Sequence, residues 1–148
     1  MPTVEQAPNP NAPTARQGIP RMPERRHFAD RLTARSVRHT GQNTVIMPWV
    51  DVLADVEAIR AGLAIRDGNT FTINGRTYVL EPGGRLFPRE GEGMYRLSRG
   101  EYRALAPYND PGLRMNPEQM LDREQVAEVD REVARRLKQE IDEWRGRR

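Results

Sequence analysis

The chain of 148 residues has no cysteine, which removes disulfides, thiolate zinc sites and cysteine nucleophiles together. It has one lysine, Lys138, among 24 basic residues. Nearly all its positive charge is therefore carried by the planar guanidinium fork that suits phosphate, although GC-rich codon usage gives the same bias without functional content. Aromatic residues make up 6 %, too few and too dispersed for the stacking platform of a single-strand binder, although Phe71, Tyr78 and Phe87 are placed to share a sheet face. No apolar run approaches the ~20 residues that span a bilayer, and the first residues lack the charged start and apolar stretch of a signal peptide. No membrane contact is expected, and a cytoplasmic protein is, with any export left to a leaderless route.

The two histidines, His27 and His39, stand twelve residues apart, and neither an H-E-x-x-H motif nor a calcium loop accompanies them. No metal and no cofactor are expected. Glycines at 83–84 and 91–93 form neither G-x-x-x-x-G-K nor G-x-G-x-x-G, and no G-x-S-x-G is present, so nucleotide-cradling loops and serine hydrolases of that type are set aside.

What the chain does have is a local surplus of positive charge. Residues 21–40 carry Arg21, Arg25, Arg26, Arg31, Arg35 and Arg38 against Glu24 and Asp30, while the remainder nearly cancels within a chain of net charge +3. Both histidines lie in this stretch. A cationic segment holding the only imidazoles is where RNA or another phosphate polyanion would bind and where acid/base chemistry would occur. Pro23 and Glu24 suit a helix start, so a basic helix is expected to about Ser36. On it Phe28 and Leu32 share a buried stripe, and His27, Arg31, Arg35 and Arg38 an exposed one.

The pattern along the chain predicts an α+β fold: N-terminal helices, a small antiparallel sheet of three to four strands and a long C-terminal helix. Residues 1–21, with five prolines before position 21 and few large apolar groups, read as a disordered tail. Residues 22–112 form the α+β domain and 113–148 a charged amphipathic helix. Within the domain, Thr44–Met47 reads as a strand and Trp49 to about Ile65 as a helix buried through Val50, Leu53, Val56, Ile59 and Leu63. Asn74-Gly75 between two β-branched runs marks a type I′ hairpin over 70–80. Arg85–Phe87 and Met94–Leu97 supply further strands, and Pro88–Gly93 between them reads as a loop, with a mobile flap over a site as the alternative. Ser98 and Glu101 fit a capping box, with Pro107 ending the short helix.

Asn116 and Pro117 open the last helix, expected to run nearly to Arg145. Val126, Val129, Val133, Leu137, Ile141 and Trp144 make its single apolar stripe. The stripe must be buried, either on the chain's own domain or against a second copy or protein partner through residues 117–145.

The candidate chemistry rests on His27 and Arg31, one helical turn apart. A histidine can take a proton from a ribose 2′-hydroxyl, and an arginine can hold the phosphate and stabilise its developing charge without metal. Thr33 would add a hydrogen bond and His39 a second acid/base group, with Arg25, Arg26, Arg35 and Arg38 as phosphate contacts.

The run His27-Phe28-Ala29-Asp30-Arg31-Leu32-Thr33 resembles the H-(F/V)-x-x-R-H-T opening of C-terminal toxin domains in bacterial polymorphic toxins, several of which are metal-independent RNases. The resemblance implies helices followed by a small antiparallel sheet over roughly residues 22–108. It also implies His27 as general base, Arg31 as phosphate clamp and Thr33 as hydrogen-bond donor. Where that pattern has its second histidine this chain has Leu32, leaving His39 to take the place. The expectation is a small bacterial RNA-binding protein that cleaves RNA without metal. The competing expectation is a non-enzymatic component of a phage or secretion assembly that docks through its C-terminal helix.

Overall fold

One short strand, β1 (Asn43–Ile46), is buried along its whole length and stands between two apolar cores. Side chains alternate across a strand, so Val45 and the following Met47 enter one core while Ile46 enters the other. The structure, a computed structural model, describes residues 9–14, 17–34 and 43–147, and elements are counted among these.

The first core lies under a four-stranded antiparallel sheet. Its strands, in spatial order, are β2 (Ile65–Asp67), β3 (Thr70–Ile73), β4 (Arg76–Leu80) and β5 (Leu86–Gly91). Helix α1 (Val52–Arg60) covers it, burying Val52, Asp55, Val56 and Ile59. Asn74 and Gly75 have φ of 54° and 77°, the doubly left-handed geometry that their type of hairpin turn demands. Strand β6 (Met94–Leu97) leaves this sheet and pairs antiparallel with β1, Asn43 opposite Leu97 and Ile46 opposite Met94.

The second core is helical. Helix α2 (Arg99–Asn109) starts from the complete capping box of Ser98 and Glu101. It packs against α3 (Pro117–Arg123) and α4 (Glu128–Gly146), with Leu105, Leu121, Leu137 and Ile141 between them. The α+β architecture with a long C-terminal helix is thus what the chain adopts.

Several local expectations need correction. The basic helix is replaced by two single 3₁₀ turns, Arg25–His27 and Ala29–Arg31, separated by Phe28 in extended geometry. Phe28 forms a parallel bridge to Ile46, so pairing with β1 overrides the local helical preference. Helix α1 is shorter than its apolar pattern, because Gly62, at φ 77°, closes it: Gly62 N donates to Ile59 O and Leu63 N to Ala58 O. Leu53 and Leu63, expected in its buried stripe, are exposed, and residues 65–67 are strand instead.

Phe87 lies opposite Val79, whereas Phe71 is opposite Tyr78, so Phe87 points to the other face of the sheet. Pro107 sits within α2, which continues to Asn109. The segment 88–93 is largely strand, pinned where Met47 N donates to Gly93 O and Glu92 N to Gly75 O.

The described residues of the expected tail lie against the sheet half. Asn9 Nδ2 donates to Gly62 O, Gln17 Nε2 to Asn69 Oδ1 and Arg60 Nε to Pro20 O, all within 2.9 Å. Arg21 bridges Arg85 at the start of β5. Polar contacts, to backbone carbonyls and to the Asn69 side chain, hold this strap, which a count of apolar groups does not register.

Candidate functional site

The 3₁₀ turns set the geometry of the basic segment. Arg25, Phe28 and Arg31 stand three residues apart, across the two turns and the extended Phe28 between them. Phe28 N donates to Arg25 O at 3.0 Å and Arg31 N to Phe28 O at 2.9 Å. The three side chains, with Met22 and Pro23, line one pocket of about 480 Å³. The Arg31 guanidinium lies 5.6 Å from the centre of the Phe28 ring, a cation–π distance.

Charge pairing around the pocket is uneven. Glu24 holds Arg26 at 3.3 Å and lies 4.0 Å from Arg85, and Asp30 lies 3.8 Å from Arg145. The two carboxylates of the segment are thereby engaged. Among the described residues Arg25 and Arg31 have no carboxylate in ion-pair range, and both are exposed. Arg26 instead turns over the Phe87 ring, 5.8 Å from its centre.

His27 goes the other way. It is 1 % exposed, its Nδ1 is 2.8 Å from the Thr44 carbonyl oxygen, and its ring meets Phe87 edge-on at 4.8 Å. A carbonyl only accepts, so Nδ1 carries the proton and donates. An imidazole held inside in this way is a post joining the 3₁₀ turn to β1. It does not reach a ribose hydroxyl from this position, and geometry is the first requirement of a general base. The expected pairing of His27 with Arg31 on one exposed face is therefore corrected: the chain turns one inward and the other outward. Thr33 is half-buried beyond the pocket. Arg35, Arg38 and His39 lie outside the described residues.

Thr44, which receives His27, also donates from its hydroxyl to Arg89 O at 3.3 Å and lies opposite Arg96 in the β1–β6 register. Arg89 and Arg96 are exposed, and among the described residues neither forms an ion pair.

The apolar stripe of the C-terminal helix is used internally. The expected continuous helix breaks at Gln125, φ 56°. Val126, Leu137 and Ile141 enter the helical core, Val133 packs against it, Trp144 is half-buried, and only Val129, 65 % exposed, faces solvent freely. Five of the six expected partner contacts are thus wholly or partly covered by the chain's own fold.

Two polar clusters went unforeseen. Asp55, fully buried on α1, accepts from Arg76 Nε at 2.6 Å and Nη2 at 3.0 Å, from Asn74 Nδ2 at 2.9 Å and from Tyr78 Oη at 2.5 Å. Burial, then the bond to Asp55, push the Tyr78 hydroxyl far above the ordinary tyrosine range. Glu118 accepts from Tyr108 Oη at 2.6 Å and from both Arg131 and Arg135. Both carboxylates are saturated by donors, which suits a structural clasp better than a reactive acid. Among the described residues no group of three or more His, Asp or Glu is placed to hold a metal ion, and no helix is long and apolar enough to cross a membrane.

Comparison with protein-family models, with curated proteins and with solved structures finds no match. The toxin-domain resemblance therefore rests on the His27–Thr33 run alone. Fold and site together define an α+β protein with a small cationic, aromatic-walled pocket beside β1. The signal for that pocket was the R-x-x-F-x-x-R spacing of residues 25–31.

Proposed function

We propose that this protein binds RNA through the Arg25 and Arg31 face without using His27 to cleave it. The observation that carries this reading is the pair of exposed guanidiniums at one pocket with no carboxylate partner among the described residues, while Arg26 and Arg85 beside them are paired. Solvated, unpaired arginines in a region of net positive charge give up little on meeting a phosphate and gain charge-assisted, bidentate hydrogen bonds. Arg89 and Arg96 add exposed positive charge on the adjoining strands. The inward placement of His27 takes the expected general base away from this face, so the reading keeps binding and does not rest on cleavage.

The test is binding of a labelled single-stranded RNA by fluorescence anisotropy, titrated over about 50 to 200 mM salt. Affinity is expected to fall steeply with salt. In the Arg25→Ala/Arg31→Ala variant the slope of log K against log salt should fall by about 1.4, two contacts at ~0.7 each. A salt-independent curve, or a double variant that binds like the parent, overturns the assignment. Discrete RNA fragments in EDTA that disappear in a folded His27→Ala variant would restore the enzymatic reading.

A further inference from the structure

We infer that the pocket takes an unpaired nucleotide, its phosphate on Arg25 and Arg31 and its base against the Phe28 wall. This rests on the RNA-binding reading and names what part of the nucleic acid is recognised. At about 480 Å³ the space falls within the ~300 to 1,000 Å³ of small-molecule sites. One side is apolar, built from Met22, Pro23 and Phe28, and the polar groups are the two guanidiniums. That is the polarity of a nucleotide: a flat apolar face joined to an anion.

Two other pockets among the described residues lack this pairing. Where Tyr108, Arg135 and Lys138 line a space of about 470 Å³, the cations are spent: Lys138 holds Asp142 at 2.9 Å, and Arg135 holds Glu118 and Glu128. Where Pro13, Ile19 and Pro20 line another, its one cation, Arg60, donates to Pro20 O at 2.7 Å.

Stacking geometry is already in place. The Arg31 guanidinium lies over the Phe28 ring at 5.6 Å, and bases stack on aromatic rings and on arginine planes alike. The backbone bonds from Phe28 to Arg25 and from Arg31 to Phe28 hold the three side chains in register, and the bridge to Ile46 ties them to β1. A duplex can reach the arginines with its phosphates, but its base faces are stacked inside and cannot meet Phe28. A single strand can satisfy both parts. One ring is no extended platform, so the specificity is for one unpaired position in an otherwise electrostatic contact.

The experiment compares a labelled single-stranded RNA of about 12 nucleotides, the same strand annealed to its complement, and a single-stranded DNA of equal sequence, each titrated with the full chain. The single strand should bind at least about 5-fold more tightly than the duplex, the low end of what stacking of one base contributes. Phe28→Leu, which keeps apolar volume and loses the ring face, should lower single-strand affinity about 10-fold, with duplex affinity and salt slope unchanged. Single-stranded DNA bound as tightly as RNA supports the inference, because base face and phosphate are common to both.

Equal affinity for strand and duplex, or a folded Phe28→Leu variant with parental single-strand affinity, overturns it while leaving RNA binding standing. No binding to any nucleic acid overturns both. If circular dichroism shows Phe28→Leu to be unfolded, the strand-against-duplex ratio of the parent chain decides alone.

Discussion

The two cores of this protein are each fastened by a tyrosine, a carboxylate and arginine, and the two clasps differ in how much water reaches them. In the sheet half, Asp55 is fully buried and takes four donor atoms from the hairpin Asn74, Arg76 and Tyr78, locking α1 onto β4. In the helical half, the Glu118 side chain is 43 % exposed and joins Tyr108 of α2 to Arg131 and Arg135 of α4. Arg131 extends this clasp to Asp122 at 2.7 Å and to Val126 O at 3.0 Å, across the corner between α3 and α4. The same three residue types therefore do unequal amounts of structural work. A buried carboxylate that loses a partner leaves a charge that water cannot reach, whereas a half-exposed one is re-solvated.

The sharpest break of that comparison is Asp55→Ala. It leaves the Arg76 guanidinium, 11 % exposed, without its bidentate partner, and removal of one member of a buried pair costs about 3 to 5 kcal/mol. Against a typical total of ~5 to 15 kcal/mol, urea denaturation should show a large loss of stability. Replacing both members, Asp55→Leu with Arg76→Met, should recover part of it, because the isolated charge goes as well. A single variant within about 1 kcal/mol of the parent would show that water enters the site and that the contrast between the clasps is false.

Glu118→Gln should cost less, about 1 kcal/mol, since Arg135, with a side chain 40 % exposed, can turn to solvent or to Glu128, and Arg131, though buried, keeps Asp122. The pH dependence identifies its source. The Tyr108 hydroxyl above all, and then Arg135 and Arg131, hold the Glu118 carboxyl below its usual 4.5, while burial opposes them. A carboxyl lowered in the folded state stabilises the fold above the unfolded value and loses that contribution as pH falls through the folded one. Thermal melts of the parent should therefore lose stability on acidification below about 4.5, and the Gln variant should show a flatter acid limb. Equal acid limbs would place the acid sensitivity elsewhere.

How much of this was legible depends on whether a feature is written in neighbouring residues. The Asn74-Gly75 turn, the Ser98 box and the strand read at Thr44–Met47 are local, and the chain adopts each of them. The break between α3 and α4 is also local in mechanism: Gln125 N donates to Asp122 O and Val126 N to Leu121 O, the same closure that Gly62 gives α1. It escapes notice because the left-handed position holds glutamine, which carries a steric cost of ~1 kcal/mol, and the contact of Leu121 and Val126 with one core compensates.

The basic segment fails for a different reason. Its spacing fits a helix, but β1 has an open edge that pairs with Phe28 and a carbonyl, Thr44 O, that draws His27 inward. Neither can be seen from residues 24–36. The Asp55 and Glu118 clasps are equally non-local, joining residues about twenty positions apart in one case and three separate helices in the other.

The smallest effect separates the two tyrosines. Burial, then the bond to Glu118, push the Tyr108 hydroxyl from its usual 10.0 up to about 12. A raised value means the contribution is complete below pH ~10 and is lost as pH climbs from there to about 12. Tyr108→Phe should thus cost about 0.5 to 1 kcal/mol near neutral pH and remove only this bounded alkaline loss, because Glu118 keeps both arginines. Tyr78 is pushed further by its deeper burial, so its contribution keeps eroding beyond the pH at which that of Tyr108 is exhausted. Thermal melts of Tyr108→Phe and Tyr78→Phe, taken upward from pH ~9, should accordingly lose the same part of the parent's alkaline slope until the pH nears about 12 and part only there, the second variant then losing more. Parallel slopes would mean that the hydroxyls meet the same solvent, and the buried and open clasps would then differ in position but not in physics.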